Sequence, residues 1–199
     1  MAIITNLKLQ KDKNRVNVYL DGEFVCGMEM SVILKNGLKI GCEIQEERLM
    51  ELQSESEFNR VYEKALRLLD RQKYTKFALK TKLKSKSYDE DIIDDVCRKL
   101  MSLGLVCDVD FAQSYIHSVS NKSKKEIENM LIQKGVSDKD IAIAMSESEI
   151  DDEEIATKLA EKFMRYKEAS YENKLKLKAY LYRKGFGYSL IEKVVDLYN

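Results

Sequence analysis

The chain changes its hydrophobic period once. Up to about residue 45, apolar and polar positions alternate: Val16, Val18 and Leu20 are separated by Asn17 and Tyr19, the two-residue period of a strand with one buried face. Asp21-Gly22 is a tight hairpin signal, and Phe24-Val25-Cys26 returns as the partner strand. Ile3-Ile4 and Leu7 to Leu9 predict a preceding strand, turned by Lys11 to Asn14. Met30 to Lys35 predicts a short helix that stops at Asn36-Gly37, and Ile40 and Ile44 a last short strand around Gly41. Residues 1–45 therefore read as a small antiparallel β module of three or four strands with one helical turn. Such a module is too short to be stable unaided.

From Glu46 onward the period is helical. Leu49, Leu52, Phe58, Val61, Tyr62, Ala65, Leu66 and Leu69 mark one long amphipathic helix, with a break expected near Ser54–Ser56. Thr75 is a suitable N-cap for a helix carrying Leu79 and Leu83. Asp89 opens another with Ile93, Val96 and Leu100, closed by Gly104. These predict three helices at about 58–71, 75–86 and 89–103.

The same order then recurs. Asp108 is expected to cap a helix with Phe111, Ala112, Tyr115 and Ile116; Lys124 to Lys134 forms a middle helix stopped by Gly135; Ser137 caps a third. A last unit begins at Asp151 and continues through Asn173 to Lys184, Gly185, and Ser189 to Tyr198. In each middle helix an aliphatic residue is followed by Leu four residues later, by Lys three after that, then by Gly or Ser: Leu79/Leu83/Lys86/Ser87, Ile127/Leu131/Lys134/Gly135 and Leu177/Leu181/Lys184/Gly185. Leu83 to Leu131 is 48 residues and Leu131 to Leu181 is 50. A period near fifty predicts stacked supersecondary units in place of one globular core. The fold expected is mainly α: three tandem three-helix repeats in an elongated curved array, after the β module. The domains expected are 1–45, a linking helix with repeat 1 at 46–104, repeat 2 at 105–147 and repeat 3 at 148–199.

Charge adds a second pattern. The 199 residues hold 34 Lys and Arg against 34 Asp and Glu, a net charge of zero, which argues against a protein that simply coats nucleic acid. The signs are nevertheless segregated. Arg71, Lys73, Lys76, Lys80, Lys82, Lys84 and Lys86 run without an acid, and Asp89 to Asp95 then contains five acids and no base. The third middle helix carries Lys174, Lys176, Lys178, Arg183 and Lys184; the second has Lys122, Lys124, Lys125 and Lys134, diluted by Glu126 and Glu128. Lysines at one repeat position, Lys76, Lys124 and Lys174, predict a basic stripe along the middle helices that meets phosphates or an acidic protein surface. The competing reading is a solvated lysine face, offset by neighbouring acids. Tyr74, Tyr180, Tyr182 and Tyr188 lie in or beside these segments and are expected mostly to bury their rings and wet their hydroxyls.

No catalytic constellation appears: there is no GxGxxG, P-loop or HExxH motif and no Ser/His/Asp grouping. Cys26, Cys42, Cys97 and Cys107 form no CxxC pair, and the single histidine, His117, lies near none of them in sequence. They read as reduced, mostly buried thiols and not as zinc ligands. Acids at Asp94-Asp95 and Asp151 to Glu154 fit helix starts better than a Mg²⁺ site. No enzyme activity, metal or cofactor is expected. No apolar run approaches the roughly 20 residues of a membrane helix, and the N-terminus has no signal-peptide pattern, so a cytoplasmic monomer without membrane contact is expected.

These motifs resemble the RecX family of bacterial recombination regulators. The resemblance rests on Ala65-Leu-Arg-Leu-Leu-Asp-Arg71, Phe77 to Leu83, Leu103-Gly-Leu-Val-Cys-Asp-Val-Asp-Phe-Ala112 and Ile127 to Gly135. It spans residue 58 to the C-terminus, and the β module with Leu20-Asp-Gly22 is similar to the extension of longer members. Cys107 stands where the junction usually has its first Asp, Ser123 where Gly often opens the middle helix, and Ser87 where the first unit would end in Gly. The resemblance implies a regulator that binds the RecA recombinase filament on DNA and inhibits its ATPase and strand exchange, with single- or double-stranded DNA as a further contact. The alternative is a helical-repeat protein that binds DNA without recombinase, and a metal-dependent hydrolase is a third class.

Overall fold

A computed structural model of the chain describes residues 1–198; Asn199, the last residue of the expected third repeat, lies outside the described residues. These form four strands and ten helices, arranged as two units. The first unit takes in Met1–Lys73 and Leu79–Leu105, and the second Tyr74–Ala78 and the chain from Val106 onward.

The first unit opens with a four-stranded antiparallel sheet in the order β3-β2-β1-β4, built from β1 (Ala2–Leu9), β2 (Arg15–Leu20), β3 (Glu23–Glu29) and β4 (Glu43–Ile44). Alternation sends Val16 and Val18 into the core with Ile4, Cys26 and Met28. Helix α1 (Met30–Lys35) adds Val32 and Ile33, and helix α2 (Glu46–Leu69) adds Leu49 and Leu52, so both helices cover one face of the sheet. The expected last strand is shorter than predicted. Ile40 is 63% exposed and precedes β4, because the backbone here turns through Gly41 at φ 89°.

Helix α2 also corrects the expectation of a break. It runs 24 residues without interruption. Ser56, read from sequence as a breaker, is fully buried, and its hydroxyl accepts the Glu29 backbone N–H at 2.7 Å. That bond ties the β module to the helix and satisfies a polar group that would otherwise be costly to bury. Beyond it, α2 packs against α4 (Glu90–Ser102). Val61 and Ala65 of α2, Leu79 and Leu83 of α3 (Lys76–Lys84), and Ile93, Val96 and Leu100 of α4 are all fully buried.

The second unit holds the remaining repeats. Helices α5 (Asp108–Ser118), α6 (Lys124–Gln133) and α7 (Asp138–Ser146) surround Ala112, Ile116, Ile127, Leu131, Val136, Ile141 and Ala144. Helices α8 (Asp152–Met164), α9 (Tyr171–Arg183) and α10 (Tyr188–Asp196) surround Ala156, Ala160, Leu177, Leu181, Phe186, Ile191 and Val194. The repeat seen in sequence is thus a repeat of core positions. Ala65, Ala112 and Ala160 are each fully buried, and so is each aliphatic pair of the middle helices.

Candidate functional site

Within the second unit a helix start meets a helix end twice, and the same chemistry makes each meeting. Thr75 precedes α3. Its buried hydroxyl accepts the Ala78 N–H at 3.0 Å, an N-cap, and donates to the carbonyl of Lys134, at the end of α6, at 2.7 Å. Ser123 repeats this one unit later: it accepts the Glu126 N–H at 3.1 Å and donates to the Lys184 carbonyl, at the end of α9, at 2.6 Å. A carboxylate completes each junction. Asp108 Oδ1 accepts the Lys76 N–H at 2.8 Å, and Asp152 Oδ1 accepts the Lys124 N–H at 2.9 Å. One hydroxyl and one carboxylate thereby satisfy orphan N–H groups at one helix start and an orphan carbonyl at the next helix end.

Glycine makes room for these meetings. Gly135 (φ 79°) and Gly185 (φ 87°) are left-handed residues after α6 and α9, where Val136 N–H and Phe186 N–H reach back to Leu131 and Leu181 carbonyls. A Cβ on Gly135 would lie 2.3 Å from Phe77 Cβ, and one on Gly185 would lie 3.0 Å from Ser123 Oγ and 3.4 Å from Lys125 Cβ. The start of α6 therefore lies against the turn that ends α9.

That second junction gathers Lys124, Lys125 and Arg183, all exposed, with half-buried Lys184. Among the described residues, none of these four makes a side-chain ion pair or hydrogen bond. Lys124 and Lys125 also sit at a helix N-terminus, where the macrodipole disfavours a cation. At the first junction exposed Lys76 lies beside Asp108, and Lys134 places Nζ 5.1 Å from the centre of the Tyr115 ring. Burial raises the Asp108 carboxyl above its ordinary pKa, the Lys76 amide bond opposes this, and Asp140 adds to it.

The other expected cations are placed differently. In the first unit Lys80 pairs with Asp94 and Lys84 with Glu90, so the acids that open α4 neutralise part of α3, while exposed Arg71, Lys82 and Lys86 make no such pair among the described residues. Lys73 is exposed and Lys174 half-buried, and each has a partner. In the second unit Lys122 pairs with Glu126, Lys176 with Glu172, and Lys178 with Glu192 of α10, each at 2.6 Å. The Lys178 hydrogen bond lowers the Glu192 pKa and raises that of Lys178.

Three sequence expectations need correction. Asp108 is not the cap of α5; Cys107 holds the N-cap position, and the Asp108 side chain turns to Lys76. Helix α9 begins at Tyr171, capped by Ser170 to the Asn173 N–H, and not at Asn173. Tyr182 and Tyr188 are 72% and 74% exposed, unlike Tyr180, which stacks on Phe163 at 5.2 Å. Asp151 does cap α8, accepting the Glu153 and Glu154 N–H groups. Cys26 and Cys97 are buried, Cys42 and Cys107 partly so, and all four are free thiols. Sequence reasoning missed the junctions themselves. Their signal was a Thr or Ser immediately before a recurring Lys, with Asp108 and Asp152 opening the following units.

Known proteins are similar to this chain along most of its length. The model of the RecX regulatory protein N-terminal domain matches residues 2–45, that of the first RecX three-helix domain residues 62–100, and that of the third residues 151–195. Regulatory protein RecX of Leuconostoc mesenteroides is 34% identical over 202 residues, covering 98% of this chain and 76% of that protein. Its counterpart in Clostridium perfringens strain 13 is 32% identical, covering 98% and 95%. A crystal structure of regulatory protein RecX superposes with a TM-score of 0.76 at 29% identity, over 98% of this chain and 100% of that one. RecX from Lactobacillus salivarius superposes at 0.64 and 32% identity, over 71% and 97%. No helix among the described residues is long and apolar enough to cross a membrane. With its sheet, its three-helix units and its sequence matched from end to end, the chain belongs to the RecX family of regulatory proteins.

Proposed function

We propose that this protein binds the RecA recombinase filament on DNA and restrains its ATP hydrolysis and strand exchange, acting as a cytoplasmic monomeric regulator and not as an enzyme. Kinship with proteins named regulatory protein RecX over 98% of the chain supports the choice of partner. The geometric observation that carries the reading is the second junction. The side chains of Lys124, Lys125, Arg183 and Lys184 make no ion pair among the described residues, Asp152 being engaged by the Lys124 backbone N–H, although most other middle-helix cations of the second unit have partners. Lys124 and Lys125, held at the N-terminus of α6 against its dipole, are ready to meet an anionic surface, and Arg183 and Lys184 at the end of α9 add to the charge. A filament presents DNA phosphates and protein charges of both signs, which suits a chain of zero net charge better than bare DNA does.

The test is a salt-titrated binding assay on DNA alone and on DNA coated with recombinase. Binding that is weak on bare DNA and strong on the filament is expected. Tight, steeply salt-dependent binding to bare DNA, unimproved by recombinase, would reassign the protein to direct DNA binding.

A further inference from the structure

We propose that the open face of the N-terminal sheet is a stacking platform for the bases of single-stranded nucleic acid, centred on Tyr19 and Phe24. Helices α1 and α2 fill the opposite face with Val32, Ile33, Leu49 and Leu52. The open face owes its contents to two bulges. By simple alternation Asn6 would share the side of Ile4, and Phe24 that of Cys26 and Met28, all three of which are core residues. The pairing of β1 with β2 shifts between Ile4 and Asn6, and that of β2 with β3 shifts between Val18 and Tyr19. Each extra residue turns the next side chain to the other side. The result is a row in register across three strands, Asn6, Tyr19 and Phe24, beside a second row of Lys8, Asn17 and Gly27.

The chemistry of those rows selects the ligand. Phe24 is 57% exposed, and its ring meets Tyr19 edge-on, with centroids 5.8 Å apart and planes at 69°. Lys8 holds its ammonium 5.1 Å from the centre of the Tyr19 ring. Two rings, a lysine over one of them and the Asn6 amide are what a flexible strand requires: π faces for bases, a charge for phosphate, and a donor and acceptor for a base edge; Asn17, in the next row, is already engaged by Gln10. The three strands with their turns are neutral as a whole, with Lys8, Lys11, Lys13 and Arg15 against Asp12, Asp21, Glu23 and Glu29, and Arg15 is paired with Glu57, so the phosphate contact on this face falls to Lys8.

This proposal does not rest on recombinase binding, and its test uses the intact protein without recombinase. Fluorescence anisotropy would compare a labelled oligo-dT or oligo-U with an abasic strand of equal length. The expected result is roughly tenfold tighter binding when bases are present. The substitutions Tyr19→Leu and Phe24→Leu, checked by circular dichroism, should remove that preference while leaving abasic binding unchanged, and Phe24→Tyr should keep it. Equal affinity for strands with and without bases, or a base preference that survives both leucine substitutions in the folded protein, would overturn the platform.

Discussion

Gly135 and Gly104 have nearly the same backbone, φ 79° and 69°, but different surroundings. A Cβ on Gly135 strikes Phe77, whereas one on Gly104 meets nothing within 4 Å. Gly104→Ala should therefore cost only the left-handed strain, about 1 kcal/mol, and Gly135→Ala that strain plus a packing clash, about 3 kcal/mol in all. Urea unfolding of the two variants tests the difference, and Phe77→Ala in the Gly135→Ala background should restore part of the loss. Ser87, at φ 58° in the equivalent place of the first repeat, carries the same strain, so Ser87→Gly should gain up to about 1 kcal/mol. Asp108 offers a pH test. Its folded pKa is raised by burial, so the folded state holds the proton more tightly than the unfolded chain does. Its contribution is fully present below the ordinary carboxylate pKa and is lost as pH rises through the raised one. Asp108→Asn keeps an oxygen for the Lys76 N–H, so wild type should lose stability relative to this variant as pH rises above the ordinary carboxylate pKa of about 4 and through the raised one. The opposite trend in unfolding midpoints would contradict that account. At this scale the glycines were legible because a left-handed stop leaves a residue-type signature. The second bond of Thr75 and Ser123 was not, because a cap looks the same in sequence whether or not its hydroxyl also donates to a distant carbonyl.

Helices α3 and α6 differ from α9 in how they begin, and the junction explains it. Where another helix end is waiting, the start is a buried hydroxyl that makes two bonds; α9 begins at exposed Ser170, which serves only its own N-cap. Ser123→Ala should thus cost about 2 kcal/mol, since it removes a cap and strands the Lys184 carbonyl, and Ser170→Ala about 1 kcal/mol. Equal losses in chemical denaturation would mean that the junction bond adds nothing. Most elements could be read from hydrophobic period, because each buries one stripe. The failures occurred where a tertiary bond overrode local preference. Ser56 was read as a break because serine favours helix ends, yet its hydroxyl is spent on Glu29 of β3 and α2 runs on. The bulges that turn Asn6 and Phe24 outward have no glycine or proline to announce them.

The charge of the whole molecule is zero, so any electrostatic grip must come from placement. Of the sixteen cations picked out in sequence, Lys80, Lys84, Lys122, Lys176 and Lys178 have acidic partners, whereas Lys124, Lys125, Arg183 and Lys184 have none among the described residues. Pairing was invisible in sequence because it depends on which turn of a neighbouring helix each lysine faces. Replacing the unpaired four by Gln should weaken filament binding and flatten its dependence on salt, whereas replacing Lys80, Lys84 and Lys178 should have a much smaller effect. The most direct measurement is a time course of DNA-stimulated ATP hydrolysis by the host recombinase, with this protein added to a formed filament. The account predicts that hydrolysis slows after addition and that the four-fold Gln variant slows it less. Hydrolysis unchanged by saturating wild-type protein would contradict it.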